Sequence, residues 1–202
     1  MTSQALHFVP TLPPEEVARA NFYGLLARLF YAPPDAPFLA ALAGAEDLDA
    51  EDGEIGPAWH ALVEAARAAD PEAVREEYET TFIGTGRAPV SLYTGAYTTR
   101  YSNDKPLAEL RAHLARLGLG RRETVNEPED HIAALCDVMR HLVAEQKKPL
   151  ADQRQFFQRW IVPAAGPLCD AIERAPTAQF YRPMARFAKA FLALEQSAFE
   201  ML

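Results

Sequence analysis

Cysteine is scarce in this chain, with only Cys136 and Cys169 among 202 residues. Two cysteines so far apart exclude a disulfide framework and a CxxC zinc or redox motif, and we expect both to be buried thiols. No stretch approaches the about 18 consecutive apolar residues that cross a membrane. Residues 1–11 lack the basic, apolar and small-residue pattern of an export signal, so we expect a cytoplasmic protein without stable membrane insertion.

Positive charge is also in deficit. Lysine and arginine together number 20 against 28 aspartate and glutamate residues, a formal net charge of -8 at pH 7. Such a charge repels a phosphate backbone, which excludes nucleic acid as an expected partner. The same charge would attract a basic peptide or a basic protein segment.

Common catalytic and cofactor motifs are absent from the sequence. There is no GxSxG nucleophile motif, and Gly84-Thr85-Gly86 has neither the length nor the lysine of a phosphate-binding loop. Helical di-iron sites use Glu-x-x-His, whereas Glu127 and His131 are four residues apart, as are Asp137 and His141. We therefore predict no resident cofactor, and the serine hydrolases that use this nucleophile motif are excluded. A helical metal protein or enzyme that uses His131 and Glu127 is kept as an alternative.

Residues that favour helices dominate what is present, with 37 alanines and 22 leucines against 9 valines and 5 isoleucines. No repeat at a fixed period and no low-complexity linker divides the chain. We predict an all-α, single-domain helical bundle over residues 1–202, with about eight to eleven helices. A short basic hinge near residues 118–125 is the candidate boundary, and it would also permit a domain-swapped homodimer.

Capping residues predict several helix ends. Asp35 is placed to cap a short helix, and Gly118 suits the left-handed residue that closes one. The helix with the strongest apolar stripe is predicted to begin at a variant capping box formed by Asn126 and Glu129. Asp152 is predicted to cap the helix after it.

The pair Asp130-His131 lies beside that apolar stripe and has two interpretations. In the first, Asp130 complements the helix dipole and His131 has a capping or loop-bonding role. In the second, the pair is a polar recognition point for arginine or backbone donors of an extended ligand. Residues 84–95 form the longest segment without a helical pattern, and such loops in compact helical domains are more often functional than plain connectors.

The run Glu127-Pro128-Glu129-Asp130-His131, followed after seven residues by Met139, resembles the E-P-x-D-H-x7-M signature of the TorD/DmsD/NarJ family. Members of this family are chaperones for molybdenum-containing redox enzymes. The family's second motif is an aromatic helix end that leads into a glycine and proline loop with a later tyrosine. It is similar to Tyr78-Glu79-Thr80-Thr81-Phe82 with Gly86, Pro89 and Tyr93.

The resemblance implies a TorD-like, cytoplasmic and non-enzymatic chaperone. Such a protein would bind the twin-arginine leader, and the apo-form, of the catalytic subunit of a molybdenum-containing oxidoreductase until its cofactor is inserted. Carried over by residue, Asp130 and His131 would make the polar contact, while Glu127 and Pro128 would shape the helix entry. The apolar part of the groove would be lined by Tyr78, Phe82, Pro89 and Tyr93.

Two further interpretations stay open at this point. The four groove residues include aromatic side chains that could instead be core packing. The chain could also be a structural subunit whose apolar groove is a permanent interface. In that case the isolated chain would associate or aggregate rather than bind a peptide reversibly.

Overall fold

The computed structural model describes residues 12–48, 53–86, 88–99, 106–121, 127–145 and 148–201. Within them the protein is all-α, which confirms the predicted fold class. The helices are α1 (Pro14–Tyr31), α2 (Ala36–Ala43), α3 (Ile55–Ala68), α4 (Pro71–Tyr78), α5 (Gly95–Thr98), α6 (Pro106–Arg116), α7 (Ile132–Ala144), α8 (Leu150–Trp160), α9 (Val162–Arg174) and α10 (Tyr181–Glu200). A π-helical turn, Glu79–Ile83, continues α4. The ten α-helices of these residues fall within the predicted number.

Local capping signals set several helix ends as predicted. The Asp35 carboxylate accepts a hydrogen bond from the amide of Phe38 at 3.0 Å at the start of α2. Asp70 does the same for α4, because its carboxylate accepts from the amide of Ala73 at 2.9 Å. Gly118 follows α6 with a φ of +77°, a conformation that favours glycine. Short-range chemistry therefore decides where these helices begin and end.

The start of α7 differs from the prediction. The helix begins at Ile132 and its N-cap is His131, so the capping box of Asn126 and Glu129 is wrong. Asn126 itself lies outside the described residues. The physical reason for the late start is a β-bridge between His131 and Tyr93, which holds residue 131 in an extended conformation.

The boundaries of α8 and α9 also differ from expectation. α8 begins at Leu150 after Pro149, so Asp152 lies in the first turn and is not the cap. In that position its carboxylate still complements the helix dipole. In the sequence, Pro163 and Gly166-Pro167 predict a kink or an interruption after Ile161, but α9 is one helix, Val162–Arg174. A proline inside a helix removes one backbone hydrogen bond, and here the helix continues through it.

The core is built around α1, which packs along α7, and α10, which packs against α3 and α9. Both cysteines are buried in it, as predicted. An aromatic cluster joins α1, α3 and α10. Its ring centroids lie 5.2 to 5.5 Å from that of Phe22 and belong to Trp59, Phe187 and Phe191.

A buried network of charged and polar side chains connects three helices. We call it the Arg19–Glu195 network. Arg19 of α1 donates to both carboxylate oxygens of Glu195 of α10, from Nε at 2.7 Å and from Nη2 at 2.8 Å. The Tyr23 hydroxyl donates to the same carboxylate at 2.9 Å. Arg19 also donates to the amide oxygen of Gln153 of α8 at 3.2 Å. The Glu195 side chain is only 4% exposed, so its charge is compensated inside the bundle.

Glu77 of α4 caps a helix that lies about a hundred residues further along the chain. Its carboxylate accepts from the amides of Gln179 and Tyr181 at 2.8 Å and from the amide of Phe180 at 3.0 Å. These donors lie at the start of α10, which begins at Tyr181 after its N-cap Phe180, and the first amides of a helix lack partners within it. The contact fixes the start of α10 against the end of α4.

The predicted boundary at 118–125 is described only as far as residue 121, because 122–125 lie outside the described residues. A single domain over 1–202, the hinge and the domain-swapped homodimer therefore stay predictions. In the described ranges, no helix has both the length and the apolar character needed to span a membrane.

Candidate functional site

Two segments far apart in the chain meet at the candidate site. Tyr93 and His131 form an antiparallel β-bridge, the one isolated bridge in the described residues. A backbone hydrogen bond of 2.9 Å flanks it on each side, from Ile132 to Leu92 and from Thr94 to Asp130. The Tyr93 ring stands edge-on to the His131 ring, with centroids 5.2 Å apart. We call Tyr93 together with residues 127–131 the ridge.

His131 is a buried imidazole at the N-terminus of α7, with 6% of the residue exposed. Its Nδ1 accepts a hydrogen bond from the amide of Ala133 at 3.2 Å, which requires a neutral ring with the proton on Nε2. Burial lowers the pKa of His131, against the opposing effect of the charges of Glu127 and Asp130. The contacts of His131 are thus those of the capping interpretation.

Asp130 and His131 face different clefts. Asp130 lies in a turn that the amide of His131 closes on the carbonyl of Pro128 at 3.2 Å, and His131 lines the larger cleft described below. Asp130 lines a smaller cleft of about 300 Å³, together with Thr94 and Trp160. Its Oδ2 accepts from the amide of Gly95 at 3.3 Å, and a Cβ at Gly95 would lie 3.0 Å from that oxygen. Glycine at position 95 therefore allows the backbone to approach the carboxylate.

A larger cleft of about 580 Å³ lies between α1, α7 and the residues that follow α6. Charged side chains around it come from Arg28, Arg121, Arg140, Glu127, Glu129 and Asp137. Its apolar lining comes from Ala27, Tyr31, Leu114, Leu119, Ala134 and Val138. Gly24 of α1 lies opposite Arg140, and a Cβ there would come within 3.2 Å of the arginine Cδ.

Glu127 differs from the other carboxylates of the larger cleft. Glu129 pairs with Arg111 at 3.0 Å, and Asp137 pairs with Arg140 at 2.8 Å. In the described part of the chain, the partner of Glu127 is instead a neutral donor, the hydroxyl of Tyr93. The negative charge of Glu127 is therefore not compensated by an arginine or lysine of these residues.

Tyr93 keeps its proton in this arrangement. Burial and the hydrogen bond to Glu127 together raise the pKa of Tyr93 to about 12. A protonated tyrosine donates its one proton to the carboxylate and orients it. The side chain is 36% exposed, so the Tyr93–Glu127 pair is accessible from solution.

Tyr78 and Phe82 lie in the core, each with 6% of the residue exposed. The Tyr78 hydroxyl donates to the carbonyls of Phe30 at 3.0 Å and Tyr31 at 2.9 Å, at the end of α1. Phe82 packs edge-on against Tyr181, with centroids 4.9 Å apart. These contacts are those of core packing. Tyr78 nevertheless positions the end of α1, which carries Tyr31 into the larger cleft.

The structure brings part of the predicted site together. The ridge gathers Tyr93, Glu127, Pro128, Asp130 and His131. Pro89 is exposed on the preceding loop and lies outside the walls of both clefts. Among the described residues, no group of three or more His, Cys, Asp and Glu side chains is arranged to hold a metal ion.

Sequence reasoning missed the α1 wall of the larger cleft, which includes Gly24, Arg28 and Tyr31. These residues belong to an ordinary stretch of helix, and the signature that indicated the ridge begins about a hundred residues later. Gly24 is the only weak signal, because glycine inside a helix lowers its stability unless close packing requires it.

Comparison with known proteins gives consistent matches. The nitrate reductase delta subunit family matches residues 46–170. The chaperone protein TorD of Shewanella loihica is 25% identical over 203 residues, covering 92% of this chain and 94% of that protein. The chaperone protein TorD of Vibrio cholerae is 24% identical over 175 residues, covering 82% and 79%.

A solved structure extends the likeness to three dimensions. The crystal structure of a candidate redox enzyme maturation protein from Archaeoglobus fulgidus matches with a TM-score of 0.56. The two chains are 20% identical, and the match covers 95% of this chain and 99% of the other. At that identity the match shows a shared fold.

Proposed function

This chain belongs to the nitrate reductase delta subunit family, and from that premise we propose that it is a chaperone of molybdoenzyme maturation. It acts in the cytoplasm and performs no covalent step. Its client is the catalytic subunit of a molybdenum-containing oxidoreductase, which it binds through the twin-arginine leader and through the body of the apo-form. Binding delays export or assembly until the cofactor is inserted.

The observation that carries the leader proposal is the Glu127 carboxylate, whose partner among the described residues is the neutral Tyr93 hydroxyl, at the edge of a cleft with apolar walls. A twin-arginine leader combines guanidinium groups with an apolar stretch, and the cleft offers a partner for each. The Tyr93 hydroxyl bonds one oxygen of Glu127, Oε2, and so orients the carboxylate. A guanidinium forms shorter and stronger hydrogen bonds with a carboxylate than with a neutral acceptor.

The apolar stretch of the leader fits the wall opposite Glu127. Tyr31 is 57% exposed at the end of α1, which is unusual for a side chain with a large ring beside a cleft. Leu119 and Val138 are half-buried and line the same cleft from other elements. Removing these surfaces from water on binding would favour the complex, because apolar burial contributes about 25 cal/mol per Å².

The comparisons do not favour the two alternatives of other classes. The relatives that match over most of their length are chaperones. A metal-dependent enzyme would need a ligand set, and among the described residues Glu127 and His131 are not part of any group of three or more His, Cys, Asp and Glu side chains arranged to hold a metal ion. A permanent subunit interface would not need an accessible carboxylate that lacks a cationic partner.

The decisive experiment is a calorimetric titration of the purified full chain with a synthetic leader that contains adjacent arginines and its apolar stretch. A twin-lysine peptide of otherwise identical sequence holds the charge constant. We expect micromolar or tighter binding to the arginine peptide and a loss of about tenfold or more with lysine, because lysine cannot form the bidentate contact. Equal binding would contradict guanidinium recognition.

A pair of variants tests whether the larger cleft is the binding surface. Ala134→Arg places a long cationic side chain in the cleft, and it should abolish binding of the arginine peptide. Ala112→Arg places the same side chain on the exposed face of α6 and should leave the affinity unchanged. If no leader from several molybdoenzyme classes binds, the client is recognised through its folded body instead.

A further inference from the structure

Two carboxylates of the ridge have no cationic partner within the described ranges, and they lie in different clefts. Glu127 lines the larger cleft and Asp130 lines the smaller one, and neither cleft includes both. In the described residues, Glu127 is bonded to the Tyr93 hydroxyl and Asp130 to the Gly95 amide, both neutral donors. Each carboxylate thus has a second oxygen that takes no part in the bond to Tyr93 or to Gly95.

The acidic neighbours of these two residues are already paired. In the larger cleft, Glu129 contacts Arg111 and Asp137 contacts Arg140. In the smaller cleft, Glu109 is paired with Arg159. The attraction for an added cation is therefore concentrated at two points, one on each side of the ridge.

The two points lie close enough to be reached by one short peptide. The two carboxylates bond residues that are two apart in the chain, Glu127 the hydroxyl of Tyr93 and Asp130 the amide of Gly95. The Tyr93–His131 bridge lies between the two clefts and is one residue pair wide.

Adjacent residues of an extended peptide have their Cα atoms about 3.8 Å apart, and their side chains point to opposite faces. Two neighbouring arginines of an extended backbone therefore leave it toward opposite faces, which matches two carboxylates that lie in clefts on opposite sides of the ridge. We propose that the leader crosses the ridge in an extended conformation, so that one guanidinium binds Glu127 in the larger cleft and the other binds Asp130 in the smaller cleft. This inference rests on the proposed function. It also explains why the two arginines of the leader must be adjacent.

The test compares peptides that differ only in the spacing of their arginines. The parent leader has Arg-Arg, a second has Arg-Ala-Arg, and two more carry a single arginine with alanine at the other position. In Arg-Ala-Arg both side chains point to the same face, so only one cleft is reached. We expect this peptide to bind as weakly as a single-arginine peptide, about tenfold below the parent. Equal affinity of Arg-Arg and Arg-Ala-Arg would overturn the inference.

Variants of the two carboxylates identify which arginine each one receives. Glu127→Gln and Asp130→Asn should each weaken the parent leader about tenfold. Against the single-arginine peptides, Glu127→Gln should weaken one and Asp130→Asn the other. Glu64→Gln and Asp170→Asn, which remove exposed carboxylates on α3 and α9, are the matched controls and should change the affinity little.

The outcomes separate failure of the inference from failure of the proposed function. If no leader binds, the inference and the leader-binding part of the proposed function are both overturned, and recognition of the client through its folded body is what is left. If leaders bind but both carboxylate variants weaken the same single-arginine peptide, or neither variant has an effect, leader binding stands and the two-cleft arrangement is overturned. Circular dichroism checks that each variant is folded. The spacing series on the parent chain decides the question even if a variant fails to fold.

Discussion

The Arg19–Glu195 network and the ridge both place carboxylates beside aromatic rings, yet they treat the negative charge differently. In the network, Glu195 is almost fully buried and accepts from an arginine and a tyrosine of the same chain. On the ridge, the partner of Glu127 in the described part of the chain is a tyrosine hydroxyl, and the pair is accessible. The first arrangement closes the bundle, while the second leaves a charge for a ligand. A carboxylate's partner set, more than its position, therefore indicates its role.

Breaking the network should have the largest effect on stability. Glu195→Ala leaves the Arg19 guanidinium and the Tyr23 hydroxyl without their acceptor, so we expect a loss of about 3 kcal/mol in the free energy of unfolding. Urea denaturation followed by circular dichroism measures it. Glu16 contacts the same guanidinium with 26% of its side chain exposed, and Glu16→Ala should cost less than about 1 kcal/mol. Equal losses of unfolding free energy for Glu195→Ala and Glu16→Ala would contradict the expectation that the buried contact stabilises the protein more than the exposed one.

Removing the cap on the ridge should have a smaller effect. His131→Ala leaves the amide of Ala133 without its acceptor, which we expect to cost about 1 kcal/mol of unfolding free energy. Asparagine is a good N-cap, so His131→Asn should restore most of the loss. The same pair of variants tests leader affinity. Weak binding by the alanine variant that asparagine rescues would show that the imidazole positions the ridge, whereas weak binding by both variants would indicate direct contact.

Acidification should have the smallest effect on the free energy of unfolding. On the ridge, His131 should be its source. Burial lowers the pKa of His131 and of His113 in the folded protein. The unfolded chain therefore takes up protons first, near the ordinary histidine pKa of about 6.5. The free energy of unfolding should fall as the pH decreases through that value and level off below the folded-state pKa values. His131→Asn should show a shallower decrease than the parent chain between pH 7.5 and 5.5, and an equal slope would exclude His131 as a source.

Helices with short-range capping signals could be predicted from the sequence. Asp35 and Gly118 act on amides or turns within a few residues, so their neighbours contain the information. The start of α7 could not be placed in this way, because His131 is held extended by pairing with Tyr93. The cap of α10 was missed for the same reason, since its acceptor is Glu77 of α4.

The candidate site was predicted in composition but not in arrangement. The signature indicated Glu127, Asp130 and His131, and the structure places all three on the ridge. What it could not indicate is that Asp130 and His131 line different clefts. Nor could it show that Tyr78, predicted in the groove, instead holds the end of α1 from within the core.

The ridge has a consequence for the order in which the chain folds. The ridge joins two distant segments of the chain, since Thr94, which follows Tyr93, and Asp130 are 36 residues apart. The two segments are joined mainly by a few backbone hydrogen bonds. Closing a loop of that length costs conformational entropy before the contacts between its ends can form. We therefore expect the flanking helices to form first and the ridge late. A newly synthesised or partly folded copy would then have no place for a leader. Only molecules that have completed folding would compete for clients.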